Sequence, residues 1–450
     1  MSLDLKRLFD AQKVAVIGAS ATPSKLGGVV MTNLTKSYTG TIYPVNPKGG
    51  EMYDLPVVKS IDDLPEDVDL AVLALSAEMA VDALAEVGKR GIPFAIIFAG
   101  GYAEIGNHEL EDRIRQICTE TGIHLVGPNG MGLWNVNGGL NASFMSMLPT
   151  HPGKVTFLSQ SGSLIAFAIY VKIRMGKFVS LGNSTDMTFE KFIPYLAKDD
   201  ETKVLALYIE SLKDGRTFLE TIKHFPKPVV AVQAGMTEAG QRSIASHTAA
   251  LAGNVALYSS LLDAYGITQV KSFEIMASLT RAFELLPPPK NNKVVALSNA
   301  GGAVCLFSDA CSEFGLDTAP LPEGLAKKLR EVFPPQAPVN NPLDLTVTGS
   351  DPKILNQVFD LLFDTSLHDY GMVVYIPVVP PYADPMMDAQ LAIEMNKKTP
   401  VPFMTCLLVG DKVRPVIPEL DKAGIAYCES IRETAEVLGH YYKWYARQKN

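Results

Sequence analysis

Cysteine is scarce. The chain has five in 450 residues, at positions 118, 305, 311, 406 and 428, and no two are spaced as CxxC. An odd count without paired spacing argues against a disulfide framework and suits buried free thiols in a reducing compartment. Histidine is sparse too, with seven residues, and no His/Cys group has zinc-site spacing, so no metal is expected. No uninterrupted apolar run reaches the ~18 residues of a membrane span. The first residues, MSLDLKRLFDAQK, lack an apolar core of signal-peptide length. Basic charge is not in excess: 40 Lys+Arg stand against 48 Asp+Glu, a net charge of −8. Nucleic acid is therefore a poor candidate partner, because phosphate backbones need a basic face. These absences leave the expectation of a soluble, cytoplasmic globular protein with no nucleic-acid or membrane partner. The length suits roughly two to four domains.

Short apolar runs are what the sequence does have. KVAVIGAS (13–20), TIYPVNP (41–47), LAVLALS (70–76), FAIIFAGG (94–101) and HLVGPNG (124–130) read as strands with helical patterns between them. That alternation predicts a parallel, doubly wound α/β sheet, which binds ligands at the carboxyl ends of its strands. A second unit, with strands KVTFLSQ, FVSLGN, VLALYIE and PVVAVQAG, begins near His151. The Pro-rich LPPPKNN (286–292) reads as a joint, and a third unit opens at KVVALSNAGG (293–302). Units two and three open alike, on KVTFLSQSGSL and KVVALSNAGGA, which favours an old duplication.

Several strand ends carry chemistry. GASATPSKLGG follows the first strand with small residues before a helix, a form that lets backbone N–H groups approach a diphosphate. It is not a clean GxGxxG, so alone it is weak. The second strand ends in Val45-Asn46-Pro47-Lys48, where a dinucleotide site usually has an acid for the ribose. A lysine there favours a ligand with an extra ribose phosphate, as in NADP or coenzyme A. SQSGSL (159–164) and SNAGGAV (298–304) each place N–H donors at a helix start. Ser161, Gly162, Ser163, Asn299, Gly301 and Gly302 could line a phosphate site. Glu210 ends VLALYIE, where a carboxylate could fix the tautomer of a histidine. His247 lies among small residues in RSIASHTAALAGN. Residues 236–253 read as a delivering loop: about 60 Å long if extended, its middle could swing roughly 30 Å.

These segments together resemble the alpha subunit of nucleoside-diphosphate-forming acyl-CoA synthetases, of the ADP-forming acetyl-CoA synthetase type, with succinyl-CoA synthetase as a relative. The resemblance rests on GASATPSKLGG, YPVNPK, GPNGMG (127–132), SQSGSL, ALYIES, ASHTAALAG, SNAGG and NNPLDLT (340–346), in that order. It implies an N-terminal Rossmann-like CoA-binding domain (1–128) and two flavodoxin-like, parallel-sheet ligase domains (129–288 and 289–450). It implies phosphorylation at His247 with Glu210 as partner carboxylate, and CoA contacts at Gly18, Ser20, Lys25, Gly27, Lys48 and Asn129. The implied reaction is acyl-CoA + ADP + phosphate ⇌ carboxylic acid + ATP + CoA, through an acyl phosphate and a phosphohistidine. No ATP-grasp domain is legible. The resemblance therefore implies a separate beta subunit that binds ATP or ADP with Mg2+, in an assembly such as α2β2.

Four positions depart from the family pattern: Gly130, Ile165, Ala249 and Ala303. They suggest a divergent member, with Ile165 reshaping the acyl site. Two rival readings are a catalytically silent CoA-binding regulator or scaffold and an NADP-dependent oxidoreductase. The latter accounts only for the first unit.

Overall fold

The computed structural model describes residues 3–248, 255–335, 337–346, 351–379, 384–408, 410–411 and 413–449. The apolar runs become buried strands. Leu70–Leu73, Phe94–Ile97 and Val294–Ser298 are buried at every residue, as strands covered on both faces must be.

Three sheets carry the chain. In the first, Thr41–Val45, Lys13–Ile17, Leu70–Leu73, Phe94–Ile97 and His124–Val126 lie side by side, all parallel. Taken in chain order these are strands 2-1-3-4-5, so the direction of winding reverses beside Lys13–Ile17. The second sheet repeats the order with Met175–Ser180, Val155–Ser159, Val204–Ile209, Val229–Gln233 and Ile267–Gln269. The third repeats it again with Leu343–Asp344, Val294–Ser298, Met372–Ile376, Phe403–Cys406 and Tyr427–Cys428. Each sheet thus has a winding switch beside its first strand, where a crevice opens at the carboxyl ends.

The second sheet starts earlier than His151. Strands Gly132–Asn135 and Leu140–Ser143 form an antiparallel hairpin that adds to Met175–Ser180. Its turn is VNGG, with Gly139 at φ +74°, a local hairpin signal that a search for parallel strands passes over. Trp134 anchors it, fully buried, with its ring 4.5 Å from that of Phe178. The loop GPNG therefore leads directly from the last strand of the first sheet into the second. The first sheet's helix Leu26–Ser37 packs on the same hairpin, where the Asn33 amide donates to the carbonyls of Ser143 and Met145 (2.8 and 3.0 Å).

The chain divides into two compact units, 1–276 and 277–450. The division falls inside helix Phe273–Leu285, ahead of the proline-rich joint. The reason is visible in unit two. Ser278 Oγ donates to Glu433 Oε1 at 2.5 Å, the Arg281 guanidinium lies 4.0 Å from the Tyr427 ring centre, and Tyr441 Oη donates to the Pro287 carbonyl. All five cysteines are free thiols; Cys311, Cys406 and Cys428 are buried, whereas Cys305 is exposed. Among the described residues no helix is long and apolar enough to cross a membrane, and no His/Cys/Asp/Glu cluster suits a metal.

Candidate functional site

The candidate CoA residues gather at the carboxyl edge of the first sheet. Gly18 follows the first strand at φ +84°, and a Cβ there would stand 2.7 Å from the Ala74 carbonyl oxygen. A Cβ on Gly27 would lie 2.1 Å from the Gly18 oxygen, so glycine is what lets the following helix close over the loop. Ser20 Oγ accepts the Thr22 N–H (3.1 Å). The Asn46 amide donates to the Ala19 carbonyl (2.9 Å), and Asn46 Oδ1 accepts the Lys48 N–H (3.0 Å). That asparagine, not singled out by sequence reading, ties the loop of Gly18 and Ser20 to the turn of Lys48. Lys25 and Lys48 are both exposed, where an anion can reach them. Asn129 sits in the left-handed region, φ +58°, with its N–H on the Ala99 carbonyl.

The departure at Gly130 has a steric reason. A Cβ there would lie 2.9 Å from the Ser180 carbonyl oxygen and 3.2 Å from Ser180 Oγ, so the GPNG loop closes tightly on the second sheet. The next residue, Met131, packs beneath Gly162: a Cβ on that glycine would meet Met131 Cγ at 2.4 Å. The GPNGMG loop and the SQSGS turn are thus in contact.

Gln160 joins that turn to Glu210. Its Oε1 accepts the N–H groups of Glu210 (2.7 Å) and Ser211 (3.0 Å), and its Nε2 donates to the Ser211 carbonyl (2.8 Å). Glu210 follows strand Val204–Ile209 at its carboxyl end, half-buried. The Tyr208 hydroxyl nearby is pushed up to about 12 by burial and the Glu210 charge. Ser161 and Ser163 hydroxyls stand 3.5 Å apart, with Ser163 exposed at the start of helix Leu164–Tyr170. Gln160 carries no signal in the sequence because its partners lie fifty residues away. Ile165 is fully buried on the core face of that helix.

In unit two, Asn299 makes the matching clamp. Its Nδ2 donates to the Val378 carbonyl (2.9 Å) and its Oδ1 accepts the Val378 N–H (2.8 Å). Its amide is therefore engaged with backbone. Gly301 and Gly302 open helix Gly301–Glu313, and a Cβ on Gly301 would meet Asp344 Oδ2 at 2.8 Å. Ala303 is buried in the helix's first turn.

His247 lies in helix Glu238–Thr248. Thr237 starts this helix by accepting the Gly240 N–H on its Oγ1 (3.1 Å). The expected swinging loop is helical over these 11 residues, which at ~1.5 Å each span about 16 Å instead of an extended reach. Glu238, Ala239, Gln241, Arg242 and Ala245 favour helix, which a reading for small, mobile residues passes over. The His247 side chain and Ala249 lie outside what is described. Helix Glu238–Thr248 runs against the short turn Ala103–Ile105 of the first sheet.

Three domain families match the chain: a CoA binding domain over residues 12–135, a succinyl-CoA ligase like flavodoxin domain over 152–283, and a Ligase-CoA domain over 294–450. The chain is 34% identical over 445 residues to the acetate–CoA ligase [ADP-forming] II alpha subunit of Pyrococcus furiosus, covering 96% of each. It is 36% identical over 348 residues to acetate–CoA ligase [ADP-forming] of Methanocaldococcus jannaschii, covering 76% of this chain but 49% of that protein. The chain thus spans about half the length of some relatives and nearly all of others. Among solved structures, the dinucleotide-forming acetyl-coenzyme A synthetase 1 of Ca. Korarchaeum cryptofilum with phosphate and ADP superposes at TM-score 0.92, with 29% identity, covering 99% of this chain and 97% of that one. The fold is that of a chain with a CoA binding domain followed by succinyl-CoA ligase-like and Ligase-CoA domains. The chain belongs to the ADP-forming acetate–CoA ligase family, aligned with its alpha subunits.

Proposed function

We propose that this chain is the CoA-binding, phosphohistidine-carrying subunit of an acid–CoA ligase, acyl-CoA + ADP + phosphate ⇌ carboxylic acid + ATP + CoA. The observation that carries the reading is the Gln160 clamp, which fixes Glu210 beside the Ser161–Ser163 turn while Met131 of the GPNGMG loop packs under the same turn. The candidate CoA residues, the Ser161–Ser163 turn and Glu210 all belong to one compact unit.

CoA lies along Gly18, Ser20, Lys25, Gly27, Lys48 and Asn129, its thioester directed toward GPNGMG. Phosphate takes the donors of Ser161, Gly162 and Ser163; Asn299, Gly301 and Gly302 form a separate candidate phosphate turn within unit two, offering backbone N–H groups because the Asn299 amide is engaged. Neutral donors hold phosphate without blunting it as a nucleophile. Its oxygen attacks the thioester carbonyl, and CoA departs as the thiolate to leave an acyl phosphate. A ring nitrogen of His247 then attacks phosphorus in line, and the carboxylate leaves, a step that depends mostly on positioning. Glu210 accepts a hydrogen bond from the other ring nitrogen, so the attacking nitrogen presents its lone pair. The phosphohistidine passes its phosphoryl group to ADP on a beta subunit bearing an ATP-grasp domain with Mg2+, in an α2β2 assembly in the cytoplasm. Domain boundaries at 128 and 288 go with this reading.

Calorimetry with CoA and turnover with a co-expressed beta chain test it. Glu210→Gln keeps CoA binding within about twofold of wild type and loses turnover; retained turnover contradicts the assignment.

A further inference from the structure

Four of the segments named above meet at one polar cluster, which includes the proposed CoA contact Asn129 and three residues to which the reaction scheme gives no part, Asn183, Glu104 and Glu111. Asn183, in the turn after strand Met175–Ser180, is at its centre. Its Oδ1 accepts from Asn129 Nδ2 of the GPNG loop at 3.2 Å. Its Nδ2 donates to Glu104 Oε2 at 2.6 Å and to Glu111 Oε2 at 3.2 Å. Backbone bonds reinforce the join: Asn183 N–H to the Pro128 carbonyl (2.9 Å) and Thr185 N–H to the Gly127 carbonyl (3.2 Å). No side chain fits at position 182, where a Cβ would lie 2.0 Å from the Pro128 oxygen.

Glu104 belongs to the turn against which the His247 helix runs, and its Oε1 holds the Gly101 N–H at 2.5 Å. Burial opposes its charge, but the bonds from Asn183 and the backbone outweigh burial and keep the carboxyl below its usual range. Glu111, 2% exposed, also pairs with Arg115 and, at 3.5 Å, with Lys213 on the loop that follows Glu210. Two carboxylates pointing at one amide are tolerated because these two cations face Glu111.

We propose that Asn183, Glu104 and Glu111 are positioning residues that hold the GPNG loop, the Glu210 loop and the His247 helix in one frame. The relay extends the proposed function, since that reading gives those three segments a common reaction. It matters there because a nucleophile and a thioester misplaced by about an ångström lose about a hundredfold in rate. Its physical content can be read without CoA: the amide is a side-chain link, alongside backbone bonds, between segments of the first and second sheets.

The test is amide hydrogen exchange on the full chain. Asn183→Ala is expected to speed exchange about tenfold in both residues 127–131 and 238–243, as loss of a charge-assisted bond would. Asn183→Asp places a third carboxylate against Glu104 and Glu111 and loosens the same two segments. Adding Glu104→Gln returns a donor across that contact and restores protection. Glu104→Ala gives the same two-segment reading if Asn183→Ala does not fold. Unchanged exchange in either segment overturns the relay, as does a failure to recover protection when Asn183→Asp is combined with Glu104→Gln. Wild-type calorimetry with CoA is read alongside. Failure to bind CoA removes the proposed function, while the exchange result still decides the relay.

Discussion

The turns at 159–163 and 298–302 are built on one plan and surrounded differently. Both follow the first strand of a 2-1-3-4-5 sheet, and both use an amide, Gln160 or Asn299, to clamp backbone beyond the neighbouring strand. Gln160 clamps the residue that follows Ile209, which is Glu210; Asn299 clamps Val378, an apolar position. Gly162 faces Met131 and the Ser180 hydroxyl, whereas Gly301 faces the Asp344 carboxylate. The duplicated plan supplies geometry to both turns. At the first turn the backbone of Glu210 is clamped beside Ser161, while at the second the Asp344 carboxylate stands against Gly301 at the start of a 13-residue helix.

Removing the clamps tests that contrast most strongly. Gln160→Ala and Asn299→Ala should each cost about 1–3 kcal/mol of stability, because each leaves backbone groups unpaired. Denaturant melts measure it. Turnover should separate them: about a hundredfold loss for Gln160→Ala, which frees Glu210, and about tenfold or less for Asn299→Ala. Equal losses would erase the functional distinction between the turns.

A smaller effect sharpens the electrostatic half. Asp344→Asn should lower the KM for phosphate by about threefold, since a carboxylate at a helix start is worth only ~0.3–1 kcal/mol when exposed. A raised KM would mean that Asp344 serves phosphate binding in another way. The smallest effect concerns the first sheet. Lys25→Ala and Lys48→Ala should each weaken CoA binding about three- to fivefold at low salt, with the difference fading near ~0.5 M as exposed charges are screened.

Much of this is legible in the chain itself. Continuous apolar runs such as LAVL and FAII mark the buried parallel strands, and the order of the strand-end motifs marks the family. The hairpin Gly132–Asn135 and Leu140–Ser143 escapes such a reading, since its strands are short and carry Asn and Ser toward polar neighbours. The clamps of Gln160, Asn46 and Asn183 are invisible because an amide's partner is chosen by the fold and leaves no periodic trace. The His247 segment reads as a loop because small residues suit both delivery and helix, and only the Thr237 cap separates the two.

The central claim is that His247 carries a phosphoryl group. The direct measurement is intact-mass and peptide mass spectrometry, at alkaline pH, of the chain co-expressed with a beta-type chain, after incubation with acetyl-CoA and phosphate without ADP. The account predicts a single added phosphoryl group on the peptide containing His247, discharged by ADP and absent in His247→Ala. An unmodified His247 in a complex that turns over would contradict it.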